Sequence, residues 1–394
     1  MKSADPAASL ATRPFVLLCL AMFLGYGNQW MLTPIIPLYV QDLGGSAFMA
    51  GLVLLTFAVP SFTVRPLVGH VADRWSAAGV LAVGLVLLAT GTLLFLIPVF
   101  AMLFVGSVVR GLGWAGVNTG GYTTLATAAP AKRRGEAAGY YTSATTAASI
   151  AFPALGLWVM SGPGGVHAVF LLSTLFALSA LPFALALKGR KGEAKAATPG
   201  VEPGRAGLIE RGVLLATGLN LCSSLVMPSV LAFLPLYARS LGIVNIGLFY
   251  VLAGVTSIVV RPVLGKKSDA IGRGPAIAIG LTSQMIGLTL FILARDIQLI
   301  LVGGFFVAVG SAMIGSTTTA LAMDLANPSY RGRAMATFSV SFQIGAGAGA
   351  MISGALADLV GLRGMYAGSI VITAAGFVLL ASAWKSLPRP HRAA

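Results

Sequence analysis

The stretch from Arg65 to Asp73 reads RPLVGHVAD, and a second version of it, RPVLGKKSD, runs from Arg261 to Asp269, 196 residues later. Two shorter matches have almost the same offset: Pro37-Leu38-Tyr39 with Pro235-Leu236-Tyr237 at 198, and Arg134-Gly135 with Arg331-Gly332 at 197. Three pairs at nearly one spacing, close to half of the 394 residues, indicate an internal repeat. The chain is therefore predicted to contain two similar halves.

Both copies of the motif are embedded in strongly apolar sequence. Hydrophobic residues make up 57% of the chain and charged residues only 9%, whereas a soluble domain has about 25% charged residues. The apolar runs are mostly long enough for helices of about 20 residues that cross the hydrocarbon core of a membrane. Twelve spans are predicted near residues 14–40, 47–70, 77–98, 100–129, 136–160, 166–188, 211–238, 245–266, 274–294, 297–326, 334–357 and 364–385.

The predicted fold is an all-α integral membrane protein with two pseudo-symmetric six-helix bundles, related by an axis along the membrane normal. The bundles are expected at 1–188 and 211–394, joined by a polar linker at 189–210. If both termini are cytoplasmic, 22 of the 26 Lys and Arg residues lie in cytoplasmic segments or adjoining helix ends, as the positive-inside rule requires. The net charge of +15 is thus mostly a topology signal, with lipid as the partner of the basic face and no nucleic acid expected.

The first motif continues as Gly69-His70-Val71-Ala72-Asp73-Arg74 between predicted spans 2 and 3. With twelve spans and a central basic linker, it resembles the major facilitator superfamily of secondary transporters over the whole chain. The first copy departs from the family pattern at Trp75-Ser76-Ala77-Ala78, which lacks the usual basic residues. The resemblance implies a gate on the cytoplasmic side that opens and closes during rocker-switch alternating access. The residues assigned to this gate are Arg65, Gly69, Asp73, Arg74, Arg261, Gly265, Asp269 and Asp324.

Two further phrases are typical of the drug-exporter-like members, which work by antiport. Predicted span 5 contains Phe152-Pro153-Ala154-Leu155-Gly156, which keeps the proline and the second glycine of a Gly-Pro-x-x-Gly pattern. A helix kink at Pro153 would also explain the proline. The second phrase is Arg133-Arg134-Gly135-Glu136-Ala137, followed by Tyr140-Tyr141. Together they favour efflux across the inner membrane.

Arg110 is the one deep charge, near the middle of predicted span 4 in the sequence VVRGLGWAG. A charged side chain at this depth costs at least about 2.5–3.5 kcal/mol and must face protein or water. Two roles are open for it. Arg110 could bind an anionic group of a substrate in a bidentate manner, or it could donate hydrogen bonds to backbone carbonyls and to Asn28 and Gln29 of helix 1.

All eleven acidic residues lie in loops or near the ends of predicted spans. This distribution argues against recognition of cationic drugs, which usually needs a buried carboxylate. Proton coupling is left open, because only Asp73, Asp324 or the substrate itself could carry the proton. No metal site, cofactor or ATP-binding loop is predicted, and the absence of a polar catalytic set excludes an enzyme.

Helices 1, 4, 7 and 10 line the central path in the family, so polar side chains on these helices are candidate substrate contacts. Trp114 and Asn118 follow Arg110 at i+4 and i+8 on one face of helix 4. The complete candidate set, which adds one residue on helix 11, is Arg110, Asn28, Gln29, Trp114, Asn118, Asn220, Ser224, Thr317 and Gln343.

These features predict a monomeric secondary transporter that exports a small anionic or zwitterionic organic compound. A broad multidrug efflux pump and an importer of a sugar or metabolite are the alternatives. A membrane sensor that does not transport is a further class, and flux measurements would separate it from a carrier.

Overall fold

The computed structural model describes residues 12–128, 133–187, 210–327 and 331–387, and every regular element in these ranges is helical. In chain order the α-helices are α1 (Arg13–Leu32), α2 (Ile35–Asp42), α3 (Ala47–Thr63), α4 (Arg65–Arg74), α5 (Ala77–Leu94), α6 (Phe100–Ala128), α7 (Arg134–Met160), α8 (Gly165–Ala186), α9 (Leu214–Leu231), α10 (Leu234–Ser240), α11 (Gly247–Ile271), α12 (Arg273–Leu293), α13 (Ile297–Leu325) and α14 (Arg331–Ser382).

The described helices form a multi-pass membrane protein. Nine segments are long and apolar enough to cross a membrane, and the pair of α3 and α4, bent by 44°, is a tenth candidate in these ranges. Helix α11 adds a shorter apolar helix over Gly247–Arg261. Helix α14 contains both of the last two predicted spans and is broken at Gly361, whose φ of 78° favours glycine. The all-α membrane class is confirmed, and the count of twelve spans stays a prediction.

Local sequence explains where several helices begin. Ser76 is the N-cap of α5 and accepts a hydrogen bond from the backbone N–H of Gly79. Asp296 caps α13 in the same way through the N–H of Leu299. Both side chains satisfy backbone donors that have no partner within the first helical turn. These caps separate α5 and α13 from the helices before them.

Glycine-lined helix pairs show the internal repeat in three dimensions. A Cβ atom on Gly91 of α5 would lie 2.6 Å from the carbonyl oxygen of Gly106 of α6. The equivalent atom on Gly287 of α12 would lie 2.5 Å from the carbonyl oxygen of Gly303 of α13. Glycine therefore permits backbone contact between the helices of both pairs, as small residues commonly do in membranes.

The described residues pack into two compact units. One contains residues 12–32 and 59–187, and its core includes Leu18, Met22, Leu85 and Val117. The other contains residues 33–58 and 210–387, with Leu219, Leu281 and Ile314 in its core. The predicted boundaries of the bundles stay predictions, since nearly all of the predicted linker lies outside the described residues. Sequence alone did not indicate that residues 33–58 pack with the second half.

Within the second unit, the segment 33–58 is held by polar and close backbone contacts. The Asp358 carboxylate of α14 accepts hydrogen bonds from the backbone N–H groups of Ala47 (2.9 Å) and Phe48 (2.8 Å) at the start of α3. Arg239 of α10 forms an ion pair of 2.6 Å with Asp42 of α2. The exposed ion pair between Arg239 and Asp42 contributes little to stability by itself. The hydrogen bonds from the start of α3 to Asp358 are therefore the stronger polar contact of the segment.

Candidate functional site

Arg110 is completely buried in α6, at 0% exposure. Its Nη2 atom donates a hydrogen bond of 2.7 Å to Oε1 of Gln29 on α1. Its guanidinium carbon lies 5.4 Å from the centre of the Phe95 ring, within the range of a cation–π interaction. Gly91 leaves the space that the arginine side chain occupies, because a Cβ there would lie 2.5 Å from Cγ of Arg110. Arg110 thus connects α6 to α1. This contact is the one expected if Arg110 donates hydrogen bonds to helix 1, which is one of the two roles left open by the sequence.

Asn28, next to Gln29, forms a separate buried network. Its amide nitrogen donates to Oγ1 of Thr92 on α5 (3.2 Å) and to the carbonyl oxygen of Ser173 on α8 (2.9 Å). The hydroxyl of Ser173 donates in return to the carbonyl of Asn28 (3.1 Å). With 0% exposure, Asn28 joins three helices of the first unit in this structure.

Trp114 and Asn118 meet a tyrosine of α1 that the sequence analysis did not single out. The Tyr26 hydroxyl donates a 2.7 Å hydrogen bond to Oδ1 of Asn118, whose amide nitrogen donates to the carbonyl of Trp114. The Tyr26 and Trp114 rings pack with their centres 4.6 Å apart. The predicted i, i+4, i+8 stripe of α6 is therefore an aromatic and polar surface toward α1.

The stripe continues by one more helical step to Tyr122, which is 57% exposed. The Tyr122 ring packs against Tyr141 of α7 at 5.2 Å between centres. Sequence reasoning missed Tyr122 although its i+12 spacing from Arg110 was a usable signal. Tyr26 had no comparable signal, and the exporter-like phrase that includes Tyr141 did not indicate its packing against Tyr122, because both contacts depend on the rotation of α1 and α7.

Arg65, assigned to the gate, lies at the bend between α3 and α4 and is half-buried. Its Nε donates a 3.1 Å hydrogen bond to the carbonyl of Ser61, one turn earlier. This hydrogen bond ties the Arg65 side chain to the last turn of α3.

The other residues of the first predicted gate, Gly69, Asp73 and Arg74, lie on the described helix α4. A Cβ atom on Gly69 would meet no heavy atom of the described residues within 4 Å, so no neighbouring helix among them packs directly against this glycine. Asp73 and Arg74 are exposed. In the second copy Arg261 is exposed, and the surroundings of Gly265 and the side chain of Asp269 lie outside the described part of the structure.

Asp324 forms a 2.9 Å ion pair with Arg273 at the start of α12. Arg273 also contacts Oγ of Ser268 (3.4 Å), which accepts a hydrogen bond of 3.1 Å from the hydroxyl of Thr317. Thr317, a candidate substrate residue, is thereby grouped with the predicted gate. The pair ties the start of α12 to the end of α13.

Asn220 and Ser224 form a buried polar cluster in the second unit. The Asn220 amide nitrogen donates to Oγ of Ser341 on α14 (2.8 Å) and of Ser224 (3.3 Å). Its Oδ1 accepts from the hydroxyl of Thr318 on α13 (3.2 Å). Gln343, two residues beyond Ser341, is half-buried. The predicted residues Asn220 and Ser224 are therefore brought together, and the sequence analysis missed Ser341.

Phe152 occupies the position of the missing glycine in the predicted exporter pattern. A Cβ atom on Gly27 of α1 would lie 2.5 Å from its ring, and the ring packs edge-on against Phe176 of α8 at 4.8 Å. The large side chain in α7 is thus accommodated by a glycine in α1.

The apolar helices and the duplicated glycine packing define a multi-pass helical membrane protein with an internal repeat. The family model of the Major Facilitator Superfamily matches residues 18–296 and 244–394. The chain belongs to this superfamily, whose members are membrane transporters and not enzymes.

Two curated relatives and one solved structure illustrate the similarity. The chain is 24% identical over 390 residues to the staphylopine export protein of Staphylococcus aureus (strain Mu50), with 96% of this chain and 97% of that protein covered. It is 26% identical over 136 residues to the quinolone resistance protein NorA of S. aureus (strain MRSA252), with 34% of each covered. A bacterial homolog of the human lysosomal transporter Spinster superposes with a TM-score of 0.78 at 14% identity, with 98% and 100% of the chains covered, which shows the common fold.

Proposed function

We propose that this transporter exports a small anionic or zwitterionic organic molecule by rocker-switch alternating access. The observation that carries the proposal is the position of charge along the described helices. Arg110 lies near the middle of α6 and Arg65 lies at the bend between α3 and α4. The carboxylates of the described residues instead lie at helix ends, beside them or near a helix break: Asp42, Asp73, Glu136, Glu210, Asp296, Asp324 and Asp358.

This distribution favours a substrate with negative charge for an electrostatic reason. A low-dielectric interior strengthens the interaction between charges, so a substrate anion gains from nearby guanidinium groups. A cation would be repelled by the same groups and would find no carboxylate in the interior of the described helices. The proposal therefore disfavours a pump for cationic drugs.

The names of the relatives support export as the direction. The relative that covers nearly the whole chain is named an export protein, and NorA is named for resistance to quinolones. The partial match to NorA is the observation that keeps a broad multidrug efflux pump as the second candidate. Both candidates are exporters, and they differ in how strictly they select the charge of the substrate.

Flux of matched aromatic probes tests substrate class. Purified protein in proteoliposomes would be offered benzenesulfonate, phenylalanine and benzyltrimethylammonium, which carry a ring with negative, zwitterionic and positive charge. We expect faster flux of the first two than of the cation. Equal flux of all three would favour the multidrug pump, and selective flux of the cation would contradict the proposal. Repeating the measurement with and without a pH gradient determines whether protons are coupled.

Membrane vesicles from expressing cells test direction and topology. We propose that both termini lie in the cytoplasm and that the protein resides in the inner membrane. Inside-out vesicles should then accumulate benzenesulfonate, whereas accumulation in right-side-out vesicles alone would identify an importer. Protease accessibility of a C-terminal tag in the same two preparations tests the orientation of the chain.

A further inference from the structure

We propose that the half-buried rings of Tyr26 and Trp114 and the exposed ring of Tyr122 form one surface of the first unit that binds an aromatic ring of the substrate. The inference deepens the proposed function, on which it rests, by adding the aromatic class to a small anionic or zwitterionic substrate. Tyr26 belongs to α1 and the other two residues belong to α6. Arg110 is then a positioning residue that ties α6 to α1 through Gln29.

A ring contact and two hydrogen bonds join Tyr26 to α6. The centres of the Tyr26 and Trp114 rings lie 4.6 Å apart. The Tyr26 hydroxyl donates to Oδ1 of Asn118 at 2.7 Å, and the amide nitrogen of Asn118 donates to the carbonyl of Trp114 at 3.0 Å. Asn118 therefore holds the phenol of α1 against the indole of α6, and it is a second positioning residue.

Close packing at Gly121 brings Tyr122 into the same surface. A Cβ atom on Gly121 would lie 2.6 Å from Sδ of Met22, which is one turn before Tyr26 on α1, and 2.8 Å from the hydroxyl of Tyr141 on α7. The Tyr141 ring packs in turn against the ring of Tyr122, with 5.2 Å between the centres. Because the glycine lets α1 and α7 both reach α6 at this level, the Tyr122 ring continues the surface along α6.

The surface faces water and not lipid. Trp114, Asn118 and Tyr122 follow one another at intervals of four residues, which places them on one side of α6. Polar side chains within a membrane helix face protein or a water-filled cavity, and the hydrogen bond between Asn118 and Tyr26 lies on this side. The 57% exposure of Tyr122 is therefore exposure to an aqueous path, from which a substrate can reach its ring.

The side chains of this surface select an aromatic ring over an aliphatic one. Aromatic rings attract one another in edge-to-face and offset arrangements, beyond what the burial of apolar area contributes. Ligand sites commonly combine such rings with a few fixed polar groups, here the Tyr26 hydroxyl and the Asn118 amide. Rings also attract cations, but Arg110 lies one turn before Trp114 on α6 and repels them. The surface thus suits an aromatic ligand without net positive charge.

Two matched pairs of probes test the inference on the purified full chain. Benzenesulfonate and cyclohexanesulfonate have the same charge and a similar size, and only the first has an aromatic ring. Phenylalanine and cyclohexylalanine form the equivalent zwitterionic pair. Equilibrium dialysis should show about two- to tenfold tighter binding of the aromatic member of each pair. Equal or tighter binding of the cyclohexyl members would contradict the inference, because a surface that is only apolar has no preference for aromatic rings.

Two variants of Tyr122 separate the effect of its ring from that of its hydroxyl. Tyr122→Leu should weaken benzenesulfonate binding about two- to tenfold and leave cyclohexanesulfonate binding unchanged, so that the preference for the aromatic probe decreases. Tyr122→Phe keeps the ring and should keep the preference. Tyr140→Leu removes a tyrosine of α7 with nearly the same exposure, 58%, and is the matched control with unchanged binding. An undiminished preference in Tyr122→Leu, or an equal decrease in Tyr140→Leu, would overturn the assignment.

A variant of Trp114 tests the half-buried part of the surface. Trp114→Leu should also decrease the preference for benzenesulfonate over cyclohexanesulfonate. A role of Trp114 in packing alone would instead weaken the binding of both probes equally, and that result would remove Trp114 from the surface. The Tyr122 variants change an exposed ring, so they keep the test decisive if Trp114→Leu fails to fold.

The proposed function and this inference can fail separately. Absence of benzenesulfonate and phenylalanine flux in wild-type proteoliposomes contradicts the proposed function. Flux of cyclohexanesulfonate that is as fast as the flux of benzenesulfonate, with equal affinity for both, contradicts the inference alone.

Discussion

The helix pairs α5–α6 and α12–α13 have the same backbone packing and different polar content. Gly91 and Gly106 in the first pair correspond to Gly287 and Gly303 in the second, with nearly identical close approaches. Phe95 and Phe291 also correspond, since each ring lies against the second glycine of its pair.

At the next position the two pairs differ. Arg110 contacts Gly91 in the first pair, and Val307 contacts Gly287 in the second. Leu88 lies against Gly113, whereas the equivalent contact of Gly310 is made by Gln284. Backbone packing requires only small residues at fixed intervals, so it tolerates different side chains around it. Both halves therefore share the same backbone packing, and only the first half has a buried charged residue, Arg110, at this position.

The largest expected effect comes from removing this asymmetric charge. Arg110→Gln should abolish measurable benzenesulfonate flux, because the tie between α6 and Gln29 of α1 is lost inside the unit. Binding of all aromatic probes should weaken together, by about tenfold or more. Equilibrium dialysis and proteoliposome flux check this, and Val307→Leu is the matched control in the second half. A loss confined to benzenesulfonate would instead indicate that Arg110 itself contacts the anionic group.

Alanine at the paired glycines should destabilise both halves to a similar extent. Gly91→Ala and Gly287→Ala each force a methyl group against a backbone carbonyl of the facing helix. Overpacking of this kind costs about 1–3 kcal/mol of unfolding free energy. Thermal unfolding in detergent measures the loss, and Gly69→Ala, where the space is open, serves as the control. A large difference between the two halves would show that their packing is not equivalent.

A smaller loss of stability is expected at the N-termini of α3 and α11, which occupy equivalent positions in the two repeats. The Asp358 side chain of α14 caps α3. At the start of α11, the N–H of Gly247 instead donates to the side chain of Asn245, two residues earlier in the sequence. Asp358→Ala should lower stability by about 0.5–2 kcal/mol, the usual range for a lost cap. Asn245→Ala provides the local comparison. Unchanged melting of Asp358→Ala would show that segment 33–58 is held by its glycine contacts with α14 alone.

The smallest effect concerns Gln284, which is buried at 0% exposure. Both polar atoms of its side chain have no hydrogen-bond partner among the described residues. Replacing an unsatisfied polar side chain by an apolar one of similar shape is near neutral or stabilising. Gln284→Leu, which copies Leu88 of the first half, should therefore raise the unfolding temperature slightly. A clear decrease would reveal a water or a ligand at the amide.

Sequence by itself determined the class of the protein. Apolar runs identify membrane helices because hydrophobicity and helix length are local properties. The repeated RPLVGHVAD and RPVLGKKSD motifs identified the two halves and the superfamily, since they can be read without knowing any contact. The position of Arg110 in a long apolar run was equally visible, because it needs only the order of residues.

Only the tertiary structure decided which polar side chains meet. Gln29 lies 81 positions from Arg110, and Asn28 lies 145 positions from Ser173. Two adjacent residues of α1 thus belong to two different hydrogen-bond networks. If α1 were rotated by one residue, Asn28 and Gln29 would face different partners. Tyr26 of α1 meets Trp114 of α6 for the same reason. Hydrophobic residues are distributed nearly evenly around a membrane helix, so their pattern does not determine how the helix is rotated about its axis. The packing of glycines against the backbones of neighbouring helices determines that rotation.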